Sequence, residues 1–241
     1  MSDFATDILQ LRYSHKKSDG TLETWEDIAE RVVNSVFSVV NVPKDVKDQL
    51  KQYIKERKFI PGGRFLAQAG REYHQTNNCF LLRAFDTREG WGSLADKATV
   101  MLMSGGGIGV DYSQLRPNGY SLKRSGGTSS GPIPMMRVVN EIGRGVMSGG
   151  KRRSAIWAGL NWKHADIFDF ITAKNWSPEV RKLKEKDFDF PATLDMTNIS
   201  AILDKDFFIA YQNGDSHAIE VYNQTIKRMV KTGEPKQIWA F

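Results

Sequence analysis

The chain has 241 residues and a mass of 27.3 kDa, and its 40% hydrophobic and 26% charged residues are typical of a soluble globular protein. No apolar run approaches the ~18 residues of a membrane helix, and the N-terminus lacks the basic and apolar regions of a signal peptide. We therefore expect a cytoplasmic protein. The net charge of +6 favours anionic partners such as nucleotides or nucleic acid. The single cysteine, Cys79, excludes a disulfide scaffold.

Residues 1–58 predict a helical region. The sequence from Thr24 to Asp27 resembles a capping box, and the apolar residues after it recur at helical spacing. A second amphipathic helix is predicted, with one face made of Val46, Leu50, Tyr53 and Ile54. The composition changes at residues 59–64, a turn-rich sequence that we take as the start of a second region, residues 59–241.

In this second region, short apolar runs alternate with helical patterns. Strands are predicted at residues 79–82, after the glycine cluster 105–109, and at residues 155–160; helices are predicted at residues 94–104, 133–148, 165–174 and 219–229. Strands separated by helices predict βα units with parallel strands, and therefore an α/β fold. We expect residues 79–82 to be a buried strand, and residues 182–189 to be a solvated loop or helix end.

Two sets of residues are candidates for binding a phosphate group. The glycines at 105–109 could let a backbone approach a ligand closely, but their order of helix, glycines and strand is not that of a dinucleotide-binding loop. Basic residues among glycines and serines, namely Arg116, Lys123, Arg124 and the run 149–154, suit phosphate capture. The alternatives are a solvated charge cluster and a nucleic-acid-binding module, although the latter would favour exposed aromatic residues among the basic ones.

The remaining polar residues give a weaker signal. Asn77 and Asn78 precede Cys79 at the start of a predicted strand, which could place the thiol at the mouth of a site. The four histidines have no metal-ligand spacing, so no metal site is predicted. No pair of carboxylates stands out as an acid–base couple.

Seven segments in collinear order resemble the large, catalytic subunit of ribonucleotide reductases, and most of all its adenosylcobalamin-dependent (class II) members. They are PGGRFLAQAG at 61–70, NNCFLL at 77–82, SGGGIGVDYSQLRPNG at 104–119, SGGTSSGPIP at 125–134, SGGKRRSA at 148–155, HADIFDFITAK at 164–174 and TNISAILDKDFF at 197–208. The resemblance covers roughly residues 59–241. It implies the reduction of a ribonucleoside diphosphate or triphosphate to the deoxyribonucleotide by a thiyl-radical mechanism.

The resemblance also implies a fold and a missing part. The family forms a ten-stranded α/β barrel from two parallel five-stranded halves, so residues 59–241 would be the first half of an incomplete barrel. Cys79 matches one member of the family's redox cysteine pair, whereas the radical cysteine and the second redox cysteine lie further on. The chain would then act only when completed by a C-terminal half chain. The alternative is a catalytically inactive nucleotide-binding remnant or regulatory fragment.

Individual residues take their expected roles from the same resemblance. The substrate would be bound by Pro61, Gly62, Asn78, Cys79, Gly107 and Arg152, and the deoxynucleotide effector by Asp86, Thr87, Arg88, Arg116, Lys123 and Arg124. Residues 148–154 match the loop that links the identity of the effector to the choice of substrate. Adenosylcobalamin is the implied cofactor, held mostly outside this chain. A thioredoxin-like reductant and a homodimer are the other implied partners, with no direct binding to nucleic acid.

Overall fold

The computed structural model describes residues 3–72, 74–123, 126–146, 153–232 and 239–240. The chain divides into two compact units, Met1–Asn78 and Cys79–Phe241. The sequence places the change of character at Phe59, whereas the division in the structure falls after Asn78. The reason is that the intervening segment supplies Leu66 and Ala69 to the hydrophobic core of the first unit.

The described part of the first unit contains the helices α1 (Asp3–Arg12), α2 (Trp25–Val36), α3 (Lys44–Lys55) and α4 (Gly63–Gln68). The predicted capping box is confirmed, because Thr24 accepts a hydrogen bond from the Asp27 amide and Asp27 accepts one from the Thr24 amide. On the predicted apolar face of α3, Ile54 is buried and Leu50 half-buried, but Val46 and Tyr53 are exposed. The core is formed by Leu9, Trp25, Ile28, Ala29, Val32, Val33, Ile54, Leu66 and Ala69.

Arg31 connects the separate segments of the first unit. Its guanidinium lies 2.7 Å from a Glu23 carboxylate oxygen, and it donates hydrogen bonds to the carbonyl oxygens of Leu66 and Ala69. Buried carbonyls require partners, so this one side chain joins α2 to the loop before it and to α4. The contact explains why residues 59–78 fold with the first unit.

The second unit is a parallel sheet with helices between successive strands. Its described strands are β1 (Cys79–Arg83), β2 (Gly107–Asp111), β3 (Ile156–Asn161), β4 (Thr197–Leu203) and β5 (Trp239–Ala240), in spatial order β1-β2-β3-β4-β5. The helices are α5 (Arg88–Met103), α6 (Pro132–Gly145), α7 (Ile167–Thr172), α8 (Pro178–Lys186), α9 (Lys205–Gln212) and α10 (Ser216–Thr232). Every neighbouring pair of strands is parallel. The predicted α/β class with parallel strands is confirmed.

Helices pack against one face of this sheet, which we call the covered face. Its side chains are Phe80, Leu82, Ile108, Val110, Ile156, Ala158, Leu160, Thr197, Ile199, Ala201 and Leu203. All except Phe80 are buried, and Phe80 packs against the same core. Apolar and β-branched residues predominate here because this face carries the packing between the sheet and the helices.

The expectation that residues 79–82 form a buried strand is only half right. The strand is present as β1, but Leu82 is its buried residue, whereas Cys79 is exposed and Leu81 is 77% exposed. The pattern arises because successive side chains of a strand point to opposite faces and β1 lies at the edge of the sheet. Residues 182–189 include the end of α8 and are largely exposed, as expected, except that Lys184 reaches a buried carboxylate, Asp195.

Candidate functional site

The second face of the sheet carries small and polar residues, and we call it the open face. By strand register, Cys79 lies beside Gly107. The next row contains Leu81, Gly109, Trp157 and Asn198, and the row after it contains Arg83, Asp111, Gly159 and Ser200. On β1 and β2 every residue of this face is at least partly exposed. Parallel sheets are ordinarily covered on both faces, so the exposure of this face on β1 and β2 is unusual.

The redox candidate, Cys79, is the first residue of β1 and its thiol is free and exposed. The neighbouring position, Gly107, has no side chain to occlude the sulfur. Two of the predicted substrate residues are therefore brought together on one face of the sheet. Their adjacency could not be read from the sequence, because 28 positions separate them and only the register of β1 on β2 joins them.

The other predicted substrate residues belong to the first unit or lie outside the described residues. Pro61 and Gly62 precede α4, and a side chain at Gly62 would lie 3.4 Å from the Asn78 amide nitrogen, so Gly62 and Asn78 are neighbours. Arg152 falls outside the described residues. The predicted substrate residues thus form two local sets, one in each unit.

Trp157 is a residue of the open face that the sequence analysis missed. Its indole lies over Gly159: a Cβ built there would come within 2.4 Å of the ring. The indole Nε1 donates a hydrogen bond to the Ser200 hydroxyl over 3.0 Å. A Cβ at Gly109 would lie 3.3 Å from the ring. The two glycines therefore leave room for the flat indole ring of Trp157, in the row of residues next to that of Cys79 and Gly107. In the sequence, the feature that could have indicated this was a tryptophan among small residues in β3.

Four of the six predicted effector residues, Asp86, Thr87, Arg88 and Arg116, lie at the carboxyl edge of the sheet. Asp86 follows β1, Arg116 follows β2, and Arg116 Nε lies 2.6 Å from an Asp86 carboxylate oxygen. Both side chains are about one-third exposed. Thr87 is the N-cap of α5, where its hydroxyl accepts a hydrogen bond from the Gly90 amide, and Arg88 is the exposed first residue of that helix.

This arrangement combines groups that can bind an anion, namely the start of α5 and Arg116, with a hydrogen-bond acceptor, Asp86. The amino end of a long helix carries partial positive charge and unpaired amides, and Arg116 adds a guanidinium beside it. Tyr120 places its ring centre 5.9 Å from that guanidinium. Lys123 is exposed in the turn closed by the bridge between Ser121 and Thr128, and Arg124 lies outside the described residues.

A network of hydrogen bonds between polar groups continues along the carboxyl edge of the sheet. The sequence analysis did not predict it. The backbone N–H of Asn161 donates a hydrogen bond to the Ser113 hydroxyl, and this hydroxyl donates one to the Asp111 carboxylate. Asp204 accepts hydrogen bonds from the Asn161 side chain and from the Trp162 indole. Burial raises the pKa of Asp204, but the bonds from Trp162, the Phe207 amide and Asn161 outweigh burial and lower it. This hydrogen-bond network holds the loops after β2, β3 and β4 in place relative to one another.

No group of three or more His, Cys, Asp or Glu side chains among the described residues could hold a metal ion. Within the same residues, no helix combines the length and apolar character needed to cross a bilayer.

Comparison with known proteins assigns the family. Residues 77–234 match the family described as "Ribonucleotide reductase, barrel domain". A vitamin B12-dependent ribonucleoside-diphosphate reductase of Thermoplasma acidophilum is 27% identical over 97% of this chain and 28% of its own length. The corresponding protein of Mycobacterium tuberculosis is 34% identical over 52% of this chain and 18% of its own length. The ribonucleoside-diphosphate reductase large subunit of Arabidopsis thaliana is 32% identical over 66% of this chain and 20% of its own length.

A solved structure has the same fold. The class Id ribonucleotide reductase alpha subunit of Actinobacillus ureae superposes with a TM-score of 0.78 over the whole of this chain and 40% of its own, at 14% sequence identity. The chain spans less than a third of the length of the curated relatives named above. The resemblance found in the seven sequence segments is confirmed, and the chain belongs to the ribonucleotide reductase large-subunit family, to whose barrel domain it contributes residues 77–234.

Proposed function

We propose that the chain is the N-terminal part of a ribonucleotide reductase catalytic subunit, which binds substrate and effector and supplies one redox cysteine, Cys79. The observation that carries the proposal is the free, exposed thiol at the amino end of β1, beside Gly107 on the open face. It lies within the residues that match the family's barrel domain. A buried or hydrogen-bonded cysteine would have favoured a structural role.

The proposed chemistry needs more than this chain. Replacing the ribose 2′-hydroxyl by hydrogen releases water and consumes two electrons, which two thiols supply as they join in a disulfide. A thiyl radical on a third cysteine removes the 3′-hydrogen to start the reaction and returns it at the end. Cys79 is the single cysteine of the sequence, so the other two thiols belong to a part of the protein outside it. A thioredoxin-like dithiol would then reduce the disulfide.

The open face is where we place that missing part. On the open face, Cys79 and Leu81 of β1 are exposed and Gly107 and Gly109 of β2 are partly exposed, whereas parallel sheets are ordinarily covered on both faces. A second, C-terminal half of a ten-stranded barrel would cover the open face, either as a separate polypeptide or as a continuation of the chain. The short span of this chain within its relatives is in keeping with that assignment.

Adenosylcobalamin is the proposed radical source, since two of the relatives are named as B12-dependent. The side chains described here do not form a site for it. Each of the four histidines places a ring nitrogen 2.8 Å from a backbone carbonyl oxygen, of Ala67, Arg71, Leu115 or Trp162, and no cluster of metal-binding side chains is found among the described residues. We therefore assign the cofactor to parts of the protein outside this chain.

The carboxyl edge is the proposed effector site. Arg116, with Arg88 at the start of α5, would hold the phosphates of a deoxynucleotide, and Asp86 would accept a hydrogen bond from its sugar or base. The Asp86 carboxylate and the Arg116 guanidinium form an ion pair. An effector phosphate would then compete with a carboxylate for Arg116. A homodimer that shares this site and a cytoplasmic location complete the proposal.

The proposal is tested on the protein isolated from its native source, whose intact mass shows whether a cysteine-containing second polypeptide or extension is present. Deoxynucleotide formation is then measured with adenosylcobalamin and a dithiol. Cys79→Ser should abolish steady-state turnover and leave deoxynucleotide binding intact, whereas Ile209→Ala, which truncates an exposed side chain of α9, should leave both turnover and binding unchanged. Turnover at the wild-type rate in Cys79→Ser would remove the redox role.

The effector assignment has its own control. Arg116→Ala should weaken deoxynucleotide binding more than substrate binding in calorimetry, whereas Arg83→Ala, which removes an exposed arginine from the end of β1, should change neither. Equal losses of both affinities in Arg116→Ala would contradict the site. A protein that binds deoxynucleotides but lacks any further cysteine would instead be the regulatory remnant.

A further inference from the structure

The connection between β2 and α6 folds back on itself, and we call its residues 118–131 the hairpin. The Gly119 amide donates a hydrogen bond to the Ser129 carbonyl over 2.9 Å, and the Ser129 amide donates one to the Tyr120 carbonyl over 2.8 Å. Residues 124 and 125 lie outside the described part of the hairpin. Because the two arms are bonded to each other, whatever holds the root of the hairpin sets the direction of both.

Two buried side chains from the loop between β3 and α7 hold the backbone at this root. The backbone N–H of Asp166 donates a hydrogen bond to His164 Nδ1 over 3.0 Å. The ring hydrogen of His164 therefore lies on Nε2, which donates to the Leu115 carbonyl over 2.8 Å. The Asn118 N–H donates to the Asp166 carboxylate over 2.9 Å. Leu115 and Asn118 lie on either side of Arg116, so the two hydrogen bonds fix the backbone on both sides of this arginine.

Asp166 also lies beside the second arm of the hairpin. A Cβ built at Gly131 would lie 2.5 Å from the Asp166 oxygen that accepts from Asn118, and 2.9 Å from the Asn118 nitrogen. Gly131 is the N-cap of α6, with a φ of 74° and no hydrogen bond from a side chain of its own. The carboxylate therefore lies at the positive end of a 14-residue helix, which favours its negative charge. One buried side chain thus holds both arms where they leave the sheet and enter α6.

The segment that carries Arg116 is stiff and its ion pair is weak. Pro117 holds its own φ at about −65° and disfavours the helical conformation for the residue before it. Arg116 Nε lies 2.6 Å from an Asp86 carboxylate oxygen, but both side chains are about one-third exposed, so this ion pair contributes little. The hydrogen bonds to the buried His164 and Asp166 cost more to break. These bonds, rather than the ion pair, would keep Arg116 in place when a phosphate replaces Asp86.

We propose that Asp166, together with His164, is a positioning residue for the anion site at the carboxyl edge: it holds the root of the hairpin so that Arg116 lies beside the start of α5 before any ligand binds. The proposal rests on the proposed function and adds the reason that the effector site is formed in advance. A site formed in advance loses less conformational entropy when its ligand binds. Neither Asp166 nor His164 needs to touch the nucleotide.

The test compares Asp166→Ala with Asp166→Asn in the complete reductase. Asparagine keeps an oxygen that can accept the Asn118 N–H, whereas alanine leaves this N–H without that partner. Calorimetry with the common deoxynucleoside triphosphates, and with inorganic triphosphate as a probe of the phosphate site alone, should show an affinity about five- to tenfold lower in Asp166→Ala. The loss in Asp166→Asn should be less than about twofold, and substrate affinity should not change in either variant.

Asp169→Ala is the matched control. It removes a carboxylate from an exposed position of α7, the helix that Asp166 precedes. Both alanine variants lose one negative charge, and this loss by itself should slightly favour the binding of an anion. A weaker affinity in Asp166→Ala therefore reports the position of Arg116 and not the charge. An affinity within about twofold of the wild type in a folded Asp166→Ala, as expected for Asp169→Ala, would overturn the proposal.

A second measurement needs no variant. In the wild-type protein, the Asn118 amide hydrogen should exchange with solvent at nearly the same rate with and without inorganic triphosphate, because its bond to Asp166 is present before the ligand binds. Exchange that slows by about tenfold or more on addition of triphosphate would show that the ligand orders the hairpin, and would contradict the proposal. If the wild type binds none of these probes, the proposed effector site itself is wrong, whereas wild-type binding that persists in Asp166→Ala refutes the positioning role alone.

Discussion

The two faces of the sheet in the second unit are built from the same strands and have different compositions. The covered face has valine, isoleucine, leucine and alanine side chains packed under helices, whereas the open face has Cys79, glycines, polar residues and Trp157. Because successive side chains of a strand point to opposite faces, each short strand sequence supplies residues to both the covered face and the open face. The difference indicates that stability comes mainly from the covered face, whereas the open face carries the exposed thiol.

The largest expected effect compares two leucines on opposite faces. Leu160→Ala removes a fully buried side chain of the covered face and should lower the free energy of unfolding by about 2–5 kcal/mol. Leu81→Ala removes an exposed side chain of the open face and should change it by less than about 0.5 kcal/mol. Urea denaturation of the two variants measures the difference, and similar losses would show that both faces contribute to stability.

Removing the buried charge of Asp195 should have the next largest effect on the free energy of unfolding. Burial raises the pKa of Asp195, but hydrogen bonds from Lys184, Asn140 and Arg144 outweigh burial and lower it. A carboxyl group whose pKa is lowered by folding stabilises the protein above its unfolded pKa, here 3.8, and this stabilisation is lost as the pH falls through the folded pKa. Asp195→Asn should therefore cost about 2 kcal/mol at neutral pH, because the hydrogen bonds from Lys184 and Arg144 lose their charged acceptor.

Denaturant unfolding measured at pH 7 and again below pH 4 tests this expectation. The difference between Asp195→Asn and the wild type should shrink in acid, and Asp189→Asn should show almost no difference at either pH because that carboxylate is exposed. A difference between Asp195→Asn and the wild type that does not depend on pH would mean that Asp195 is not ionised in the folded protein.

The close packing of Trp157 gives an intermediate effect. Gly159→Ala would place a Cβ within 2.4 Å of the indole and 2.8 Å of Ile202, so we expect a loss of about 1–3 kcal/mol and a shift in tryptophan fluorescence. Gly92→Ala, in α5 with no atom near the new Cβ, should instead stabilise by about 0.5–1 kcal/mol. An unchanged stability in Gly159→Ala would mean that Trp157 moves without cost.

Removing either of two hydroxyl groups should have the smallest effect on the free energy of unfolding, and the two changes should have opposite signs. Ser200, on the open face, accepts the hydrogen bond of the Trp157 indole, and Ser200→Ala should cost about 1 kcal/mol. The Tyr112 hydroxyl is buried and has no partner among the described residues, and burial raises its pKa above the usual range. Tyr112→Phe should be neutral or stabilising by up to about 1 kcal/mol. Thermal unfolding of both variants distinguishes the two signs, and a destabilised Tyr112→Phe would reveal a partner.

Local patterns predicted the elements well and their surroundings less well. The capping box at Thr24, the helix of residues 94–104 and the strand of residues 155–160 depend on neighbours within a few positions, and all three are present. The burial of Leu81 was predicted wrongly, because it depends on what covers the strand. Asp195 attracted no attention in the sequence, because its partners Asn140 and Arg144 lie 55 and 51 positions away.

The sequence by itself determined the positions of most helices and strands, the parallel α/β class and, through seven collinear segments, the family. It also singled out Cys79 and the Asp86 and Arg116 loops. Only the tertiary structure decided that Cys79 lies beside Gly107, that Asp86 pairs with Arg116, and that Trp157 forms a platform on two glycines. The physical reason is the range of the interactions: periodicity and capping act within one turn or one strand, whereas strand register and buried ion pairs join residues that the chain keeps tens of positions apart.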